Sequence, residues 1–341
     1  MSVEPASPPG IRTEPRANCV SCGAVGKPLY VGLHDNLFAA PGIWSHSACT
    51  NDGCGLVWLN PMPRTEDLPL AYSEYYTHGS ESDPRASVRF AKRVYRIAVD
   101  AFLWIAGIPS ERKRARLMFV GDESPSTLLD IGCGQGAYLI EMAKRGWRVA
   151  GVDFDPSAVK AAKTLYGLDV SLGTVDTAVK MGRKYSVVTA SHVIEHVPDP
   201  VSFLSQCRRL LDAGGRVVIR TPNLDSLGHR KYGRAWRGLE PPRHLHLFTM
   251  RGLEACARRA GFQRTRCFTT SVGADGILLA SHFLRKKGEF RPGRLTANEM
   301  LEAKALGPLL ALAAKFVWWL DRSSGEEICA ILTNDDLPSS Q

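Results

Sequence analysis

From residue 127 onward, short apolar runs alternate with amphipathic stretches in the rhythm of βα units. The run 128–131 (LLDI) predicts a buried strand, followed by a glycine turn and a helix over 137–145. A second strand is expected at 148–153 (RVAGVD) and a third at 185–190 (YSVVTA). Asp155-Pro156 supplies an N-cap and a first-turn proline for a helix over 157–166, and Asp199-Pro200 repeats the device before a helix over 201–211. A turn at 212–215 leads into a strand at 216–220. Thr249 caps a helix that runs to Ala260 and closes on Gly261, and a further strand follows at 262–269. The stretch 326–333 (EEICAILT) predicts a last strand, hairpin-paired with its predecessor. The expected fold is α/β, a Rossmann-like doubly wound and mostly parallel sheet with helices on both faces.

Upstream the pattern changes. Residues 1–17 are rich in Pro, Ser and charge and predict a flexible tail, with no apolar core of a signal peptide. A cysteine-bearing module is expected at 18–62, a helical connector at 63–124 with a basic run at 112–116 and a turn at 121–126, and the main domain at 125–335. Two oily stretches, 97–108 and 306–320, fall short of the roughly 18–20 apolar residues that cross a bilayer. Both read as core helices, with contact at a membrane surface or a greasy acceptor pocket as the alternative.

Composition adds two constraints. The chain of 341 residues has a formal charge of +9, and residues 201–300 carry 19 Lys/Arg against 7 Asp/Glu. Such a field favours an anionic partner (nucleic acid, an anionic membrane or a phosphate-bearing small molecule), a solvated basic face being the other reading. The nine cysteines, without a secretion signal, point to a reducing, cytoplasmic setting in which spaced cysteines mean metal, chemistry or packing.

Two cysteine pairs have metal spacing. Cys19-x2-Cys22-Gly23 and Cys49-x4-Cys54-Gly55 form two knuckles for one tetrahedral, structural Zn²⁺, with His46 as the substitute ligand if one cysteine takes no part. Cys133, Cys207, Cys256, Cys267 and Cys329 read as buried apolar residues.

The turn Asp130-Ile131-Gly132-Cys133-Gly134-Gln135-Gly136 lies between a strand and a helix. Its alternate glycines let a ligand lie against the main chain, and the helix start offers free N–H groups to a carboxylate. Asp130 is placed to accept from an ammonium group, so the ligand end it suits is an amino acid, such as the methionine part of S-adenosylmethionine (SAM). Asp153 ends the next strand and suits two ribose hydroxyls, with Phe154 beside it for an adenine face. NAD remains the rival, because Gly132-x-Gly134-x-x-Ala137 also meets the looser dinucleotide pattern.

Two further segments carry chemistry. His192-Val193-Ile194-Glu195-His196 follows a strand end, where open α/β sheets place active sites. A histidine there could take a proton from an acceptor, His192, Glu195 and His196 could ligate a divalent ion, or the acid and histidine could simply lock the turn. The loop 236–246 (WRGLEPPRHLH) is stiffened by two prolines and is expected to display Arg243, His244 and His246, with Trp236 as a stacking surface and Arg243 for a phosphate or carboxylate. Tyr72, Tyr75 and Tyr76 read as a packing stripe or as phenol donors to the site.

DIGCGQG, GVDFDP, SHVIEHVPDP and LLDAGGRVVIRTPN, in that order, resemble the successive motifs of class I SAM-dependent methyltransferases, over about 127–270. They are most similar to the group with quinone-ring and sugar methyltransferases. WRGLEPPRHLHLFT and CGLVWLNPMP resemble segments of bacterial members with an N-terminal zinc module. The resemblance implies that Asp130, Gly132, Gly134 and Gly136 hold the methionine part, Asp153 the ribose and Phe154 the adenine. It places the region around Val175-Asp176 near the adenine amine and Ser191 and His192 where donor and acceptor meet. The expected activity is methyl transfer to a small-molecule, sugar or lipid-linked acceptor. An RNA methyltransferase and a non-catalytic SAM-binding scaffold are the alternatives; Lys27 alone is basic within 18–62, which speaks against RNA on the zinc module.

Overall fold

The computed structural model describes residues 10–72, 103–104 and 106–334. Tyr75, Tyr76, much of the expected connector and most of the oily stretch at 97–108 lie outside them.

The N-terminal part is a small β module. Strands β1 (Thr13–Glu14), β2 (Gly26–Leu33), β3 (Trp44–Cys49), β4 (Val57–Leu59) and β5 (Met62–Pro63) alternate with tight turns. The expected tail therefore ends early, since residues from Ile11 on are folded. Ile11 is fully buried, β1 pairs with β5, and the Arg12 guanidinium grips Asp67 through two hydrogen bonds of 2.8 and 2.9 Å.

Beyond it come α1 (Ile108–Arg116), β6 (Thr127–Ile131), α2 (Ala137–Ala143), β7 (Arg148–Asp153), α3 (Pro156–Tyr166), β8 (Val170–Leu172), α4 (Val175–Lys180), β9 (Tyr185–Ser191), α5 (Pro200–Arg209) and β10 (Leu211–Pro222). The chain ends in α6 (Leu227–Tyr232), β11 (His246–Leu247), α7 (Met250–Arg259), β12 (Arg264–Thr270), α8 (Ala274–Lys287), α9 (Ala297–Leu320) and β13 (Glu327–Thr333). The caps act as their residue types predict: Asp155 accepts from Ser157 N, Asp199 from Val201 N and Ser202 N, and Thr249 from Gly252 N.

The main sheet runs in the order β12-β13-β10-β9-β6-β7-β8. Strands β6 to β10 are mutually parallel, and β13 is antiparallel to both its neighbours. From β6 the chain first builds outward through β7 and β8, then crosses to β9 on the other side. The crevice at this switch point, between the carboxyl ends of β6 and β9, is where such sheets bind ligands. β12 and β13 pair as expected, but two helices intervene between them, so the connection is no tight hairpin.

The module's own sheet has the order β11-β4-β3-β2, so its outer strand β11 comes from the loop after β10. Trp44, Trp58, Leu59 and Met62 share one buried cluster with Leu245, Phe248 and Leu253. Module and α/β sheet are thus knitted through that loop, and the interface is part of the core.

Candidate active site and four-cysteine cluster

The glycine turn lies at the switch point. Gly134 has φ +53°, and no atom lies within 4 Å of where its Cβ would stand, so the loop leaves open space for a ligand against its backbone. Gly132, at φ +74°, serves packing, because a Cβ there would come 2.6 Å from Val193 Cγ2. Asp130 is buried at the end of β6, where Thr189 Oγ1 donates to its Oδ1 at 2.6 Å. Burial pushes this carboxyl up to about 7; the Thr189 bond opposes the shift and the charge of Asp153 adds to it. Asp153 braces the turn: Oδ2 accepts from Gly134 N at 2.7 Å and Oδ1 from Asp155 N at 2.9 Å. Phe154 is exposed beside it, its ring 5.9 Å from that of Tyr72. Ser191 is half-buried at the end of β9.

Val175 opens α4 with its side chain packed in the main core, and exposed Asp176 accepts from Gln206 Nε2 on α5 at 2.8 Å.

His192 sits at φ +55°, an uncommon conformation for a side-chain-bearing residue. Its Nδ1 donates to Glu195 Oε1 at 3.1 Å and its Nε2 to Glu327 Oε1 at 3.0 Å, while Arg220 also binds Glu327. Burial disfavours the charged ring, but the imidazole is still 41% exposed and the two carboxylates prevail, pushing it up to about 10. His192 is a cation at neutral pH and has no lone pair with which to take a proton. Glu195 is buried, and although burial raises its carboxyl, the His192 bond and charge hold it down at about 2; its Oε2 accepts from Thr221 Oγ1 at 2.9 Å.

His196 differs. Its Nδ1 lies 3.0 Å from the Arg243 carbonyl and 2.9 Å from Tyr72 Oη. A carbonyl only accepts, so the proton sits on Nδ1 and Nε2 keeps its lone pair. His244 is held in the same way, Nδ1 donating to Gly238 O at 2.7 Å, and burial pushes it down to about 4, leaving it neutral. The two rings meet edge-on at 4.9 Å. Ligand atoms of Glu195, His196 and His244 lie within 4.8 Å of one another, a set of acceptors able to hold a proton or a divalent cation. The metal-competent group thus contains His244 in place of His192, because both nitrogens of His192 are taken by carboxylates.

The loop after β10 does not display its residues. Arg243 and His246 are fully buried, and His244 and Trp236 nearly so. Arg243 bonds Asp35 at 2.9 Å, Glu240 at 3.1 Å and the Ala71 carbonyl at 3.0 Å, with its guanidinium 4.5 Å from the Phe38 ring centre. It clamps the loop to the β module and offers no free fork to a phosphate. Removing one partner of such a buried pair costs about 3–5 kcal/mol.

At the module's tip, Cys19 Sγ and Cys54 Sγ are 3.7 Å apart and Cys22 Sγ and Cys49 Sγ 3.3 Å, with all four sulfurs within 4.8 Å. Zn–S bonds of about 2.3 Å arranged tetrahedrally give sulfur separations of about 3.8 Å, so the cluster is close to what zinc requires. The four thiols are free of disulfides, and Asn51 N donates to Cys49 Sγ at 3.4 Å, as knuckle amides do. His46 is fully buried in β3 and is not one of the group.

Residues 107–266 match the family model described as a methyltransferase domain. The match covers just under half of the chain. The chain is 39% identical to the ubiquinone biosynthesis O-methyltransferase of Nitrosomonas europaea over 110 residues, 30% of this chain and 47% of that one. With the Klebsiella pneumoniae protein of the same name it shares 36% over 116 residues, 32% and 45% of the two chains. The chain thus spans less than half the length of these relatives. A solved SAM-dependent methyltransferase from Archaeoglobus fulgidus is 19% identical, with a TM-score of 0.43 over 68% of this chain and 98% of that one.

In the α/β part, three partners escaped the sequence reading: Thr189 on Asp130, Glu327 on His192, and Thr221 on Glu195. Thr221 lies in the LLDAGGRVVIRTPN motif but no role was read for it; Thr189 and Glu327 belong to no motif, and Glu327 stands 135 residues from the histidine it holds. Tyr72, read as a phenol donor or a packing residue, reaches the domain from the β module through its bond to His196.

Proposed function

We propose that this chain transfers the methyl group of SAM to a small-molecule acceptor, and that Cys19, Cys22, Cys49 and Cys54 hold a structural zinc ion. The observation that carries the first part is the left-handed, sterically open Gly134, set between the carboxyls of Asp130 and Asp153 inside the segment that matches a methyltransferase domain. Bound SAM supplies a methyl group on a sulfonium, already activated for in-line displacement.

The chain's residues do the rest. Asp130, ionised against an ammonium group, and the amides of the glycine turn hold the amino-acid end. Asp153 is the acceptor for ribose hydroxyls, and exposed Phe154 covers the adenine side. His196 takes the acceptor's proton at Nε2, its tautomer set by the Arg243 carbonyl and Tyr72. His192, as a fixed cation, keeps Glu195 ionised and in place. General-base help of this kind contributes typically about 10²–10⁴-fold. The acceptor is a ring, sugar or lipid-linked molecule, and an oxygen nucleophile on it is supported by the O-methyltransferase names of the relatives.

The test uses methyl-labelled SAM and cell extract, separated into RNA, lipid and small-molecule fractions. Label is expected in a lipid or small-molecule product, with turnover of His196→Gln lowered roughly a hundredfold and SAM affinity retained. Label that ribonuclease removes would assign the acceptor to RNA. Full activity in His196→Gln would refute the base.

A further inference from the structure

The long helix α9 carries an apolar face that nothing among the described residues covers. Leu309, Phe316, Trp319 and Leu320 are each more than half exposed, and their spacing gathers them on one side of the helix. Leu310, Ala311, Ala314 and Lys315 are buried on the other side. Trp104, also largely exposed, adjoins the same helix, because its neighbour Leu103 packs with Ile108 and Ala311. Contiguous apolar surface of this kind marks a binding surface rather than ordinary scatter.

Charge flanks it. Helix α1 lies alongside, tied to α9 by the Lys315–Glu111 bond, and its sequence IPSERKRAR holds four basic residues against one acid. Lys113, Arg114 and Arg116 are exposed, and Lys113 and Arg116 have no acidic partner among the described residues. Tryptophans at the rim, aliphatic and aromatic side chains between them, and cations to the side form the composition of an interfacial helix. From Leu309 to Leu320 the face runs about 16 Å, half the roughly 30 Å of a bilayer core. No helix among the described residues is long and apolar enough to cross a membrane.

We infer that α9 and α1 dock the protein onto an anionic lipid surface, α9 lying in the plane of the interface with Phe316, Trp319 and Leu320 in the acyl boundary and Lys113 and Arg116 over the headgroups. A second copy on the same face would bring two sets of Lys113 and Arg116 together, whereas anionic headgroups neutralise them. The inference is independent of the reaction proposed above.

The full chain should co-sediment with vesicles of equal parts phosphatidylcholine and phosphatidylglycerol, and far less with phosphatidylcholine alone. Phe316→Asp with Leu320→Asp should weaken binding at least about tenfold, and Arg116→Glu about fivefold. Quenching of wild-type tryptophan fluorescence by bromine-labelled acyl chains, which needs no variant, should report insertion. No binding, or no quenching, overturns the inference. A concentration-dependent dimer in light scattering that Phe316→Asp abolishes also overturns it, assigning the face to a second copy.

Discussion

If Asp130 holds the ammonium group of SAM as proposed, SAM affinity is expected to depend on pH. In the ligand-free protein its buried carboxyl is pushed from an ordinary 3.8 up to about 7, so ionising it in place costs about 4 kcal/mol. The sign follows: the ligand-free fold loses this contribution as pH rises from the unfolded value toward about 7, where the carboxylate must ionise without a cation. An ammonium group set against Asp130 reverses the preference and draws the carboxyl back to its ionised form. Binding of SAM below pH of about 7 should therefore release close to one proton, and affinity should fall roughly tenfold for each pH unit below that point while staying level above it. Isothermal titration calorimetry in buffers of different ionisation enthalpy measures both. Asp130→Asn keeps the shape but loses the charge-assisted bond, about 2 kcal/mol or roughly thirtyfold in affinity above neutrality, and its binding should no longer change with pH. Affinity that is flat through neutrality with no proton release, or an Asn variant that binds as tightly as the wild type, would refute the assignment.

Two further outcomes are expected. Gly134→Val forces a β-branched residue into φ +53° and fills the open space, so SAM affinity should drop by at least about tenfold while the melting temperature falls only a few degrees; unchanged affinity would move the cofactor elsewhere. Mass spectrometry of the native chain should find one zinc ion, and chelation should lower the melting temperature sharply, since structural zinc contributes about 10–16 kcal/mol in small modules and this module shares its core with the larger domain. A metal-free chain with the same melting temperature would remove the zinc reading.

What the chain's order determined by itself is what adjacent residues decide among themselves. An aspartate before a proline caps a helix whatever lies opposite, so Asp155 and Asp199 were legible, as were Thr249, the glycine turn and the two cysteine pairs. Apolar runs of strand length likewise announced β6, β7 and β9, whereas β8, with three residues, was too short to leave a pattern. The state of each histidine was not written locally. His192, His196 and His244 are the same residue type but are held differently, because β13 brings Glu327 to the first, the Arg243 carbonyl of the returning loop meets the second, and the third is buried against the Gly238 carbonyl. Arg243 looked like a phosphate ligand until Asp35, 208 residues away, turned out to hold it. Only tertiary structure could assign these, since a side chain's protonation and exposure depend on which distant groups the sheet order and the packed loop set within a few ångströms of it.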